Sequence, residues 1–366
     1  MGRAIYGYVR DRGQATKADI AAALGLSLPT VNKYVAHFLD TGFLHKAAKL
    51  ASGSHGGRSP VAYSVVPDAR VAIGMDVRGS HVTSVLVDLD RHVRADRRTP
   101  RPFERSEAYL RFLGDEVKQL VAAADVGRER VLGVTVAMPG LVDTENNEVI
   151  YGRVIDNTGM TAAELGRHID FPTTLVHDSD AAGLAEFSPR FESSNAFYIS
   201  LGNSVGGAAV INGAVFVGDG VFSAEIGHVR ISDDGPTCYC GQRGCFDAHC
   251  NAHVLSGLAD DSLELFFERL DAGDPAATQA WSTYTDHLAR AIHDVRALFG
   301  CTIILGGDVG TWLVDRLPEV HTKVDALRWL DDRAEDYVVP ANRRSHVIST
   351  GAALFLIEEF HDHPAV

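Results

Sequence analysis

The sequence predicts a two-lobed α/β body with mixed sheets, preceded by a small winged helix-turn-helix head. Three observations carry that prediction. Apolar residues in the first seventy positions recur at helical spacing, punctuated by glycines and capping residues. From residue 71 onward, two successive runs of strand-like segments are each followed by helices. A chain of 366 residues, 46% hydrophobic and 22% charged, has room for two or three domains that each bury most of their apolar surface.

The head is justified element by element. Residues 3–12 form an opening helix with Ile5, Tyr8 and Val9 on one face, ended by Gly13. Thr16 caps a second helix, and Asp19 three residues later completes a capping-box signal. Ile20, Ala23 and Leu24 give that helix an apolar stripe before Gly25. Ser27 caps a third helix, in which Leu28, Val31, Val35, Phe38 and Leu39 are expected to face inward. Thr30, Asn32, Lys33 and His37 are left on its other faces, and Thr30, Asn32 and Lys33 suit major-groove contacts. After Gly42, two strands are expected around a Gly/Pro-rich tip that presents Arg58 to a minor groove. A tri-helical protein-binding domain, or a linker with a solvated arginine, explains the same residues.

Charge divides the chain the same way. Residues 1–70 carry nine Lys/Arg and four Asp/Glu, a net of +5; the remainder carries 25 and 44, a net of −19. A basic head on an acidic body is expected when only the head meets phosphate. No run of about 18 apolar residues spans a membrane. The charged N-terminus lacks an apolar signal region, so a cytoplasmic location is expected.

In the body, residues 71–77 and 80–89 read as a β-hairpin and 91–99 as a third strand. A helix at about 104–124, the buried strand VLGVTVAMPG, a helix TAAELGRHI and the strand TTLVHD follow, and DAAGLAEF opens another helix. NAFYISLG, VGGAAVING and AVFVGD start a second run of strands. Two helices at roughly 260–299, the strand CTIILGG and the closing helix GAALFLIEEF complete it. The expected division is a head at 1–70, a first lobe at 71–182 on which the helix 350–366 packs, and a second lobe at 183–349. A cleft between lobes is where a small ligand sits. The glycine turns DVRGS, LGNSVGG and LGGDVG can cradle an anion, but they are also ordinary turns.

Four of the five cysteines, Cys238, Cys240, Cys245 and Cys250, lie within thirteen residues. With His228, the first three supply one imidazole and three thiolates, a closed tetrahedral zinc shell of structural type. His249 and Cys250 are alternative ligands. Reduced thiols packed as small hydrophobes would explain the same residues.

EIGH followed by CYCGQRGC, together with HDSDAAGLAE, DVRGSHVTSVLVDL, VAMPGLVD, LGNSVGG and CTIILGG in this order, resembles the ROK family of repressors, open-reading-frame proteins and sugar kinases. The head resembles that of the repressor branch, near regulators of xylose, glucose and N-acetylglucosamine use. The resemblance implies an actin-like/hexokinase-like pair of RNase H-type lobes. It also implies that Asp180 falls at the kinase general base, Ser179 beside it, and Glu225, His228 and Asp247 at sugar contacts. Asp180 equally suits a helix N-cap.

The departures favour a sensor over an enzyme. The family's kinases carry DxGGTK where this chain has Asp76, Val77, Arg78, Gly79, Ser80 and His81, and GTGIGG where it has GNSVGG at 202–207. Phosphoryl transfer depends on positioning, so a damaged phosphate cradle removes most catalysis even with the base retained. The expected function is a sugar-responsive regulator that represses carbohydrate-utilisation genes. It would bind a palindromic operator as a homodimer or homotetramer and take a sugar or sugar phosphate as effector. The competing readings are a sugar kinase with a DNA-binding head and an interaction platform.

Overall fold

The computed structural model describes residues 1–47, 61–187, 194–218, 221–328, 331–342 and 345–362. The head is built from α1 (Gly2–Asp11), β1 (Ala15–Thr16), α2 (Lys17–Leu24), α3 (Leu28–Asp40), β2 (Leu44–Lys46) and β3 (Ala62–Val65). Its helix starts follow from local chemistry. Thr16 Oγ1 accepts from Asp19 N at 3.2 Å while Asp19 Oδ2 accepts from Thr16 N at 3.0 Å, a complete capping box. Ser27 Oγ accepts from Thr30 N at 3.3 Å at the start of α3. β2 and β3 pair antiparallel as the wing, and β1 adds to the far edge of β3. Val31, Val35 and Phe38 face the core as expected. Leu28 does not; it is 52% exposed at the first turn of α3, where the helix has cleared its neighbours. Ala23 is exposed as well.

The first lobe contains β4 (Val71–Val77), β5 (His81–Asp88), β6 (Val93–Pro100), α4 (Glu107–Ala123), β7 (Val131–Met138), β8 (Leu141–Asp143), β9 (Glu148–Tyr151), α5 (Ala162–Leu165), β10 (Thr173–His177) and α6 (Asp178–Phe187). Its sheet has the order β10-β7-β4-β5-β6, parallel through the first three strands and antiparallel through the last three. Apolar residues of α4, including Leu113, Val117 and Leu120, cover one face. The helix expected at TAAELGRHI is shorter than its pattern: α5 gives way to a 3-10 turn at Gly166–His168.

The second lobe contains β11 (Ala196–Leu201), β12 (Val205–Ile211), β13 (Ala214–Val215), α7 (Phe246–Cys250), α8 (His253–Ser256), α9 (Leu263–Asp271), α10 (Pro275–Phe299), β14 (Thr302–Gly306), α11 (Gly307–Leu313), α12 (Leu317–Asp325), α13 (Ala334–Tyr337) and β15 (Val338–Pro340), and α14 (Val347–Asp362) returns to pack on β4, β5 and β7 of the first sheet. Its sheet has the order β13-β12-β11-β14-β15. In both sheets the strands, counted along the chain, run third, second, first, fourth, fifth from one edge. The lobes therefore repeat one topology without a visible sequence repeat.

α14 ties the pieces together. Its N-terminal half lies so close to α6 that a methyl on Gly351 would overlap the Ala181 carbonyl. Ala353, Leu354, Ile357 and Phe360 then share one core with Ala72 and Val85 of the first sheet and with Ile5, Tyr6, Phe38 and Phe43 of the head. Phe360 stacks on Phe43 with ring centroids 5.6 Å apart. Among the described residues, no helix is long and apolar enough to cross a membrane.

Candidate functional site

Two constellations stand out, and both are positioned by chain reversals at strand ends. In the first, the segment after β13 forms a tight knuckle. Cys238 N donates to Gln242 O at 2.8 Å and Gly241 N to Cys238 O at 2.9 Å. Gly244 has a φ of +76°, and any side chain there would overlap the Ser232 carbonyl. This reversal brings His228, Cys238, Cys240 and Cys245 together, their ligand atoms all within 4.8 Å of one another. Cys240 and Cys245 sulfurs are 3.7 Å apart, as are Cys238 Sγ and His228 Nδ1. Burial pushes the Cys245 thiol up to about 12, so a bound cation has to displace its proton. This cluster could hold a metal ion. His249 and Cys250, the alternative ligands, stay outside it. His249 stacks on His287 at 4.0 Å, and Cys250 is buried against the Tyr284 carbonyl.

The second constellation gathers at the junction of β10 and α6. His177, Asp178, Ser179 and Asp180 follow one another there, and Glu225 approaches from the second lobe. Asp180 is 8% exposed, and among the described residues its Oδ1 has no hydrogen-bond partner. Burial raises its pKa to about 6; His177 opposes the rise, while Glu225 and Asp178 add to it. Burial also raises Glu225, against the pull of His177 and His228. Burial alone would lower His177, yet Asp178, Asp180 and Glu225 outweigh it and hold the imidazole above its usual value. Ser179 is buried with its Oγ directed at Gly206 on β12.

Asp247 lies on α7 and is 3% exposed; its Oδ1 accepts from Val205 N at 2.6 Å. Together with Ala252 N donating to Gly202 O at 2.7 Å, this bond pins the turn at 202–204 onto α7 and the turn that follows it. His228 belongs to the first constellation and acts electrostatically on Glu225 of the second. Its Nδ1 faces Cys238, while its Nε2 lies 3.2 Å from the Tyr239 hydroxyl. Sequence reasoning did not single out Tyr239, His177, Asp178 or Asp308 as site residues. Tyr239 and Asp178 adjoin residues it did name and His177 lies two positions before Ser179, and that nearness was the available signal; Asp308, far along the chain, acts on the Arg78 guanidinium from the first turn of α11.

On the head, Asn32 and Lys33 are exposed on α3. Thr30 is half-buried, and its Oγ1 lies 2.8 Å from Ser27 Oγ in the helix cap. Arg58 lies outside the described residues.

Comparison with known proteins agrees with this anatomy. The ROK family model matches residues 72–359, and a winged helix-turn-helix DNA-binding model matches residues 2–44. An N-acetylmannosamine kinase of Escherichia coli O157:H7 is 26% identical over 249 residues, covering 65% of this chain and 83% of that protein. A xylose repressor of Bacillus spizizenii is 24% identical over 246 residues, covering 66% and 62%. The crystal structure of a ROK family transcriptional regulator, described as a homologue of the E. coli MLC protein, superposes with a TM-score of 0.80. Identity there is 21%, over 99% of this chain and 96% of the other. A ROK hexokinase from Thermus thermophilus superposes on 80% of this chain and 99% of its own, with a TM-score of 0.66 and 22% identity. The fold is thus hexokinase-like with a winged head, and the chain belongs to the ROK family.

Proposed function

We propose that this chain is a carbohydrate-responsive transcriptional repressor acting in the cytoplasm. Its body holds a sugar in the cleft, and its head holds an operator. The observation that carries the reading is the course of α14. One rigid helix packs at one end behind Asp180 on α6 and at the other end inside the core of the head. A ligand shifts DNA affinity only if it binds one arrangement of the parts better than another, and α14 gives the two sites a common element to move. The resemblance to a xylose repressor and to an N-acetylmannosamine kinase supports carbohydrate as the ligand class.

Asp180 Oδ1 and Glu225 accept hydroxyl protons from the sugar in this reading, with His228 and Asp247 at the rim and Ser179 beneath. Asn32 and Lys33 meet the major groove, with Thr30 at its margin, and Arg58, outside the described residues, is the candidate for a minor groove. A homodimer presents two heads to a palindromic operator. The metal centre is a structural zinc site. A tetrahedral ion with Zn–S bonds of about 2.3 Å requires thiolate edges of about 3.8 Å. The 3.7 Å separation of Cys240 and Cys245 fits that edge, and three thiols with one imidazole leave no open position for catalysis.

A mobility-shift titration with the chain's own promoter region tests the reading. Binding is expected to weaken on adding the sugar that raises the melting temperature. Lys33→Ala is expected to weaken binding and reduce its salt slope by about one charge. No shift with any promoter fragment contradicts the proposal. The retained Asp180 favours a second reading, a sugar kinase with a DNA-binding head. Steady ATP-dependent phosphorylation of a monosaccharide that is lost in Asp180→Asn would establish it.

A further inference from the structure

The turn between β4 and β5 carries an arginine where a phosphate-binding turn leaves open backbone. Arg78 folds back over its turn, its side chain 34% exposed. Its Nε donates to Asp76 Oδ1 at 2.8 Å, and its Nη1 lies 3.2 Å from Asp178 Oδ2. Asp178 is paired in turn with His177 Nε2 at 3.2 Å. From the second lobe, Asp308 in the first turn of α11 also acts on the guanidinium. The Asp308 carboxylate stands 3.5 Å from where a Cβ on Gly202 would be, over the second glycine turn. Two of the three glycine turns that could cradle an anion are therefore furnished already, and the third carries Asp308 itself. Of the first two, one holds a cation satisfied by carboxylates, and the other faces a carboxylate.

The charge balance of the cleft points the same way. Asp76, Asp178, Asp180, Glu225 and Asp308 face Arg78 and His177, with the exposed Arg98 acting on Asp76 from β6. Two of the five guanidinium hydrogens are engaged by Asp76 and Asp178, and an incoming phosphate that reached the rest would stand beside those carboxylates and approach several others. A neutral polyol has no such conflict, because its hydroxyls donate to carboxylates, Asp180 Oδ1 first.

We infer that Arg78 is an internal cation standing where a nucleotide or ester phosphate would lie. The cleft then takes an uncharged, unphosphorylated monosaccharide and rejects sugar phosphates and nucleotides. This rests on the reading that the body binds carbohydrate. It goes further by assigning the charge class of the effector and naming the specificity-determining residue.

Titration calorimetry on the full chain tests it. The titrants are neutral aldopentoses, aldohexoses and N-acetylhexosamines, each beside its phosphate ester, and Mg-ATP. At least one neutral sugar is expected to bind, with its ester weaker by at least about tenfold, the penalty of placing a dianion within several ångströms of surplus carboxylates. Mg-ATP is expected to give no heat of binding. An ester that binds as well as its parent sugar overturns the inference and leaves the carbohydrate reading standing. Failure of both classes overturns that reading, and the inference with it. Asp178→Asn frees a guanidinium hydrogen and removes one negative charge, so it is expected to narrow the neutral-over-ester gap severalfold. Asp308→Asn, at an exposed position, is expected to narrow it as well. A gap unchanged in both variants removes Arg78 and its partners from the discrimination.

Discussion

At the scale of single residues, Asp180 makes the sharpest demand on the chain. Its folded pKa of about 6 stands above the ordinary 3.8 because burial penalises the charged form. A carboxyl that holds its proton more tightly when folded makes the folded state the better proton binder between about pH 4 and pH 6. Stability contributed by this group is therefore present below about pH 4, falls as pH rises through that window and levels off above it. Asp180→Asn removes the loss. The variant is expected to be more stable than the parent at pH 7 by at most about 3 kcal/mol, with the gain vanishing near pH 4. Chemical denaturation at the two pH values checks this, and equal stability at pH 7 would count against a strained carboxylate. Asp76, raised to about 6 by its own burial against the pull of Arg78, keeps a similar slope in both proteins.

At the scale of elements, the knuckle at 228–245 has little apolar material and little regular structure of its own. It is held by Arg290 Nη1 donating to Ile231 O at 3.1 Å, by the stacked His249 and His287, and by the four-ligand cluster. Metal binding there is folding free energy for the loop, because the ligands are brought together only in the folded chain. Cys240→Ser is expected to release the metal and lower the melting temperature by several degrees, and strong chelation of the parent is expected to do the same. Elemental analysis that finds no zinc in the parent protein removes the site. The change is local enough to test cleanly, since Cys240 is the least buried of the three thiols.

At the scale of the whole molecule, α14 packs against α6, which carries Asp180, and against the core of the head. The joint core formed by Phe360, Phe43 and Tyr6 makes the head an extension of α14 rather than a tethered module. Phe360→Ala removes a side chain that is 7% exposed from that joint, a change of about 3–5 kcal/mol in a well-packed core. Operator affinity in this variant is expected to respond less to sugar than in the parent, and the head is expected to melt separately from the body. Mobility shift with and without sugar, alongside scanning calorimetry, reads both. A full sugar response with a single transition would show that coupling runs by another route.

The sequence by itself determined the caps of α2 and α3, the pairing of the first hairpin and the four ligands that meet in the knuckle. Each depends on residues a few positions apart, whose chemistry works locally. It also contained the family resemblance that the comparisons bear out. It did not show the repeated strand order of the two sheets, because the topology repeats while the residues do not. Nor did it show that Leu28 faces outward, that the helix at TAAELGRHI stops early, or that α11, α12 and α13 fill the region after β14. Only the tertiary structure decided that Arg78 turns back onto Asp76 and Asp178, and that α14 joins cleft to head. The Arg78–Asp178 pair and the contacts of α14 with the head join parts 100 residues or more apart along the chain, where spacing along the sequence carries no information about distance in space.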